Sequence, residues 1–218
     1  MSAPLSIHRG VVALLLLGGA LSIPRVSAWG QTVGAQATAA TVSTLPGGSQ
    51  TFADVRLPPA GGMDQSDVDR AGVTSTFGAT DLVSITTGQI DQGLVSVTAS
   101  AEAAEVNILN GLITAKTVLA LATSYANGTA ARSEANGSTL LDLTVAGVSY
   151  GDGAPVPNMR VQLPSVGYVV LNEQISGGDG LHSTSLTVNM IHVYLVDPLT
   201  GASLGEIVIG AATSRATL

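Results

Sequence analysis

Between Leu94 and Ala126 the chain runs LVSVTASAEAAEVNILNGLITAKTVLALATSYA, two long β-type runs, Leu94–Leu109 and Leu112–Ala126, that meet at Asn110-Gly111. Asn-Gly takes up the positive φ angles of a tight hairpin turn readily, and flanking runs of β formers make it a hairpin signal. Val, Ile and Thr fill the flanks together with many small residues, and no Pro interrupts either side. A helix competes over Ala99–Leu109, where Ala101, Ala103, Ala104 and Glu105 are good helix formers. The Val- and Thr-rich residues on both sides favour the strand. The rest of the chain is expected to pack onto this hairpin.

Later segments read as further strands: Thr139–Val145, a short Val148–Tyr150, Asn158–Leu163, Gly167–Gln174, Ser183–Val196 and Glu206–Ser214. Asn127-Gly128 and Asn136-Gly137 bracket a polar loop, Gly151–Pro157 is a loop, and Gly177–Gly180 and Asp197–Gly201 have turn chemistry. Ahead of the hairpin, 29–78 reads as a loop-rich lead-in and Thr80–Thr87 as a strand that ends at Gly88. Within the lead-in, Thr32–Val42 alternates loosely enough for a first strand and Leu45–Gly48 is a turn. Val55–Gly62, with two prolines and two glycines, is an extended crossing or corner, and Gln65–Ala71 a short polar turn. Short runs with turns every 8–15 residues, no amphipathic helix and no βαβ rhythm predict an all-β antiparallel sandwich, Ig-like or jelly-roll-like.

Residues 1–28 carry a different signal: Arg9 in a short n-region, the apolar run Val11–Ile23, then Val26-Ser27-Ala28. That order marks a secretory signal peptide cut before Trp29, and the apolar run falls short of the roughly 20 residues that span a bilayer. Cleavage leaves 218 − 28 = 190 residues in one domain, 29–218, and removes Arg9 and Arg25, moving the net charge from −7 to −9. So acidic a chain, with one lysine, has no basic face for nucleic acid or anionic lipid, and no stable membrane insertion is expected after cleavage. The absence of Cys from an exported chain excludes a disulfide scaffold and thiol chemistry.

The segments Ala101–Ala104, Leu109–Ala115, Leu143–Gly147, Val169–Gln174, Asn189–Val193 and Gly210–Arg215, with the Pro- and Gly-rich Leu57–Gly62, resemble the bacterial choice-of-anchor P family of secreted β-rich proteins. The resemblance implies an exported surface protein coupled to an anchor, with no catalytic residues to carry over. The chain departs from the anchored pattern by stopping at Leu218 without a sorting signal or apolar tail, so secretion without covalent anchoring is expected.

Candidate chemistry is sparse. His182 lies in a polar turn and His192 in a strongly apolar strand, where a core or rim role is expected. A Ser–His–Asp set would draw on Ser183 or Ser214 with Asp179 or Asp197, but no G-x-S-x-G elbow is present. Zinc would need both histidines plus carboxylates. Asp64, Asp67 and Asp69 form the densest acidic cluster and are the calcium candidates, against a solvated acidic turn; the spacing is not that of an EF-hand and no other cofactor is indicated. Asn127-Gly128-Thr129 and Asn136-Gly137-Ser138 fit the glycosylation sequon and equally fit turns. With aromatics at 3 % of the chain, no aromatic-lined sugar cleft is apparent.

The functional expectation is a non-catalytic extracellular or cell-surface protein with a structural or adhesive role. It would act through its surface or edge strands on another copy or another cell-surface component. The lead-in Trp29–Thr44 is the candidate donated strand, unless it folds back on its own chain. The alternative is a secreted domain that binds or hydrolyses polysaccharide. Exposed aromatics around a groove, or His182 within hydrogen-bond reach of Asp179, would favour it.

Overall fold

A computed structural model describes residues 30–218; the expected signal peptide and cleavage site lie outside them. Thirteen strands form: β1 (Thr32–Thr44), β2 (Gly48–Arg56), β3 (Gly62–Val73), β4 (Phe77–Asp91), β5 (Leu94–Ile108), β6 (Ile113–Ala126), β7 (Ala131–Glu134), β8 (Thr139–Val145), β9 (Val148–Gly153), β10 (Met159–Leu163), β11 (Gly167–Gly178), β12 (Ser183–Val196) and β13 (Ser203–Thr217). Among the described residues no helix is long and apolar enough to cross a membrane.

The strands make two antiparallel sheets packed face to face, as the sequence predicts. Sheet A has the order β10-β11-β12-β13-β1-β2; sheet B has the order β3-β4-β5-β6-β8-β9, with β7 also pairing β6. Each sheet is an up-and-down meander, apart from β13–β1, which brings the two ends of the chain side by side. The Leu94–Ala126 hairpin holds the middle of sheet B as β5 and β6, with Ile108 opposite Ile113 and a four-residue connection in which Leu109, Asn110 and Gly111 all have positive φ. Ala99–Leu109 is strand up to Ile108, so tertiary pairing outweighs the helix propensity of its alanines.

The lead-in is where the sequence reading fails. Far from loop-rich, 29–78 holds β1, β2, β3 and the start of β4. Gln65–Ala71 is no turn but the middle of β3, an edge strand on which only Ala71 is buried, so it carries no apolar alternation to read. The expected crossing at Val55–Gly62 is present: the chain leaves sheet A after Arg56 and enters sheet B at Gly62. β4 runs past Gly88 to Asp91, the bracketed polar loop contains β7, and β9 takes in Gly151–Gly153 of the expected loop. β1 is paired on both sides, to β13 and β2, and buries Val33, Ala35, Ala37, Ala39, Ala40 and Val42. The segment suggested as a donated strand therefore folds back onto its own chain.

Each sheet has one unpaired rung running straight across it. In sheet A the rung passes through Asn172, Met190, Gly210, Ala39 and Ala53, and pairing resumes in unchanged register on its far side. Thr38 faces Ala211 and Ala40 faces Ile209, for example, on either side of Ala39 and Gly210. In sheet B the corresponding rung includes Asp69, Asp81, Glu105, Lys116 and Asp142. Six rung residues are left-handed: Ala53 (φ 48°), Asp81 (50°), Glu105 (47°), Asp142 (51°), Asn172 (49°) and Gly210 (65°). Gly, Asn and Asp tolerate that region best. At the rung the side-chain alternation of a strand reverses. β5 buries Val95, Val97, Ala99, Ala101 and Ala103, then Val106 and Ile108; β6 buries Ile113 and Ala115, then Val118, Ala120 and Ala122. The core is built of such small side chains, close enough for Gly210 in sheet A to lie against Val118 and Ala120 in sheet B.

Polar groups in that core are mostly paired. Ser124 shares hydrogen bonds of 2.7 Å with Ser133 and with Ser214, and Ser133 one of 2.7 Å with Thr184, joining the two sheets through hydroxyls. On β4, however, Ser84 Oγ and Thr86 Oγ1 are buried without a hydrogen-bond partner. An unsatisfied buried hydroxyl costs about 1–3 kcal/mol of desolvation. Thr86→Val keeps the shape and removes the hydroxyl, so the melting temperature is expected to rise by about 3 °C. A lower melting temperature in calorimetry would show that the hydroxyl has a partner.

Candidate functional site

The outer face of sheet A gathers polar and aromatic side chains from four adjacent strands. Antiparallel register sets Tyr168 (β11) beside Tyr194 (β12), Tyr194 beside Glu206 (β13), and Glu173 (β11) beside Asn189 (β12). Because Ile191, Val193 and Leu195 point into the core, His192 and Tyr194 point out of the same strand on the other side.

The contacts form two linked systems. Stacking runs in a column: the Arg160 guanidinium lies 3.7 Å from the Tyr168 ring centre, Tyr168 stacks on Tyr194 at 4.6 Å, and Tyr194 on His192 at 4.0 Å. Beside it, Glu173 Oε2 is 2.7 Å from His192 Nδ1 and accepts from Asn189 Nδ2 at 2.7 Å, while Tyr194 Oη donates to Glu173 Oε1 at 2.8 Å. His192 Nε2 lies 3.2 Å from Glu206 Oε2.

The electrostatics follow from this packing. Burial alone raises the pKa of Glu173, but the hydrogen bonds from His192, Asn189 and Tyr194 outweigh it and hold the carboxyl below its ordinary value. Burial, then donation to the Glu173 carboxylate, pushes the Tyr194 phenol above its ordinary range. The result is a rigid, charge-compensated plaque. Both ring nitrogens of His192 are engaged by carboxylates, so neither is free to take a proton from a substrate.

The residues singled out from sequence fall elsewhere. Asp64, Asp67 and Asp69 are spread along exposed β3, the first two on opposite faces, and among the described residues no group of three His, Cys, Asp or Glu could hold a metal ion. His182 Nδ1 does approach Asp179 Oδ2, at 3.4 Å, on the exposed β11–β12 turn. Asp179 Oδ1 meanwhile accepts the backbone N–H groups of Leu181, His182 and Ser183 at 2.8–2.9 Å, and those donors hold its pKa well below the carboxylate range. This aspartate closes a turn. Asp197 does the same through the N–H groups of Thr200 and Leu199. Ser214 is buried against Ser124, and Ser183 belongs to the Asp179 turn, so the suggested Ser–His–Asp members do not converge. Asn127 caps its own turn by accepting from Thr129 and Ala130.

Sequence reasoning missed the plaque. Its one local signal was His192-x-Tyr194, two polar rings on the same side of an apolar strand; Glu173 and Glu206 join them only once the register is known.

No family model, curated protein or solved structure matches this chain.

Proposed function

We propose that this is an exported, non-catalytic cell-surface or extracellular protein with a structural or adhesive role, acting through the outer face of sheet A. The observation that carries this reading is His192, clamped at both ring nitrogens by Glu173 and Glu206 within the Arg160–Tyr168–Tyr194 stack. A side chain committed in this way serves recognition better than turnover, because a preorganised surface binds with little ordering cost. Tyr and Arg are also the residues that most often dominate binding energy at protein interfaces. The leader sequence and the resemblance to choice-of-anchor P proteins support the exported location, and the partner would be another cell-surface component.

A polysaccharide-binding or hydrolytic role is the second reading, favoured by the approach of His182 to Asp179. One binding experiment separates the two. Tyr168→Ser and Glu206→Arg are each expected to weaken binding to a cell-envelope fraction by at least about tenfold, with the circular dichroism spectrum unchanged. Wild-type binding by both variants would remove this face from consideration. Loss of binding after His182→Ala alone, with soluble envelope glycan as competitor, would select the second reading.

A further inference from the structure

Four strands form the margins of the two sheets: β2 and β10 in sheet A, β3 and β9 in sheet B. Such margins carry unpaired backbone groups and are usually guarded by charge, glycine or irregularity. β3 is guarded by Asp64, Asp67, Asp69 and Arg70. β9 contains Gly151 and Gly153, and its register against β8 is broken. β2 lies on the closed side of the sandwich, where the chain crosses to β3 over buried Leu57 and Phe52 packs on Phe77 with ring centres 5.9 Å apart.

β10 differs from all three. Its five residues, Met-Arg-Val-Gln-Leu, pair with β11 in unbroken register and include neither glycine nor acid. The one charge that would guard it, Arg160, is laid over the Tyr168 ring of the neighbouring strand, inward from the margin. Beside β10 the sandwich is incompletely filled: a cavity of about 160 Å³ opens between Leu140, Leu143, Tyr150 and Met159. Val148, Val156 and Ile175, all on β9, β11 or the segment that precedes β10, are exposed.

The side-chain pattern of β10 is complementary to itself. In an antiparallel pair centred on Val161, Met159 faces Leu163 of a second copy, Val161 faces Val161, and Arg160 faces the neutral Gln162. Centring on Arg160 would set two arginines opposite each other, and centring on Gln162 would set Arg160 against Pro164, which has no N–H to offer. The Val161 register alone uses the whole strand without like charges.

We infer that β10 pairs with β10 of a second copy of this chain, antiparallel about Val161, so that sheet A continues through a two-fold axis into its partner. Such an interface is isologous and closes as a dimer. The backbone bonds give affinity, and the Met159–Leu163 and Val161–Val161 contacts continue the apolar layer. This names one edge and one partner for the association proposed above. It is tested on the purified chain with no cell component present, so its failure leaves the face reading standing.

The experiment is sedimentation equilibrium on the wild type and two variants at an exposed position. Gln162→Arg puts like charges opposite Arg160 twice per dimer, and Gln162→Glu puts opposite charges there twice. The dissociation constant is expected to rise about fivefold in the first and fall about fivefold in the second. In the wild type, hydrogen exchange of the β10 amides should slow as concentration rises. A wild type that stays monomeric through the micromolar and millimolar ranges overturns the inference, even if a foreign strand binds there. So does a dimer whose dissociation constant is the same in all three chains.

Discussion

Val118→Asp is expected to cost about 4 kcal/mol of folding stability. Val118 is fully buried in the middle of β6, at the centre of sheet B, and its side chain lies against Gly210 of sheet A. A carboxylate there loses its water and gains no partner, since both faces around it are lined by alanine, valine and methionine side chains. The neighbouring residue makes the contrast. Leu119 points to the outer face beside Glu102, so Leu119→Thr should cost less than about 1 kcal/mol. Urea denaturation of both variants gives the comparison directly; equal midpoints would mean that the two sides of β6 are equally exposed and that the sandwich is wrongly assembled.

The second large effect is expected at Gly210. Its φ of 65° is left-handed, and a Cβ added there would stand 2.9 Å from Val118 Cγ1 and 3.5 Å from the Cβ atoms of Ala120 and Met190. Left-handed backbone alone does not forbid a side chain on this rung, because Ala53 and Asn172 occupy it at similar angles. Contact decides the matter. Gly210→Ala should destabilise by about 3 kcal/mol, combining roughly 1–2 kcal/mol of backbone strain with overpacking of about 1–3 kcal/mol. Val118→Ala removes the atom in the way, so the two substitutions together should cost less than the sum of each alone. Strict additivity in a double-mutant cycle would show that the sheets are not in contact at this point.

How far the sequence discloses this fold depends on where a strand lies. The central strands were legible: Asn110-Gly111 with its Val- and Thr-rich flanks gives the β5–β6 hairpin, and β12 begins and ends at Ser183 and Val196 as read. Margins were not, because β3 exposes nearly every residue and shows polar Gln65–Asp69 where an alternation would be sought. The rung hid more. A strand such as β1, which buries odd residues up to Ala39 and then Ala40 and Val42, never completes a long enough alternation to be recognised as one element. The candidate site was hidden for a related reason. His192 sits among Met190, Ile191 and Val193, so its neighbours in sequence describe the core, while its neighbours across the sheet, Glu173 and Glu206, describe a surface.

The unpaired rung also governs errors in assembly. In an ordinary sheet a strand that slides by two residues keeps its apolar side chains facing inward, so the mistake is inexpensive and easily trapped. Here a strand that slid by two would carry its own reversal point away from that of its neighbours. If it kept the reversal, a kinked segment would be matched against extended backbone; if it moved the reversal into line, two side chains would exchange core for solvent. Either outcome is penalised along the whole width of the sheet. Gly210, Ala53, Asn172 and their counterparts in sheet B therefore act as an alignment mark, fixing long, small-residue strands in one register where composition alone would permit several.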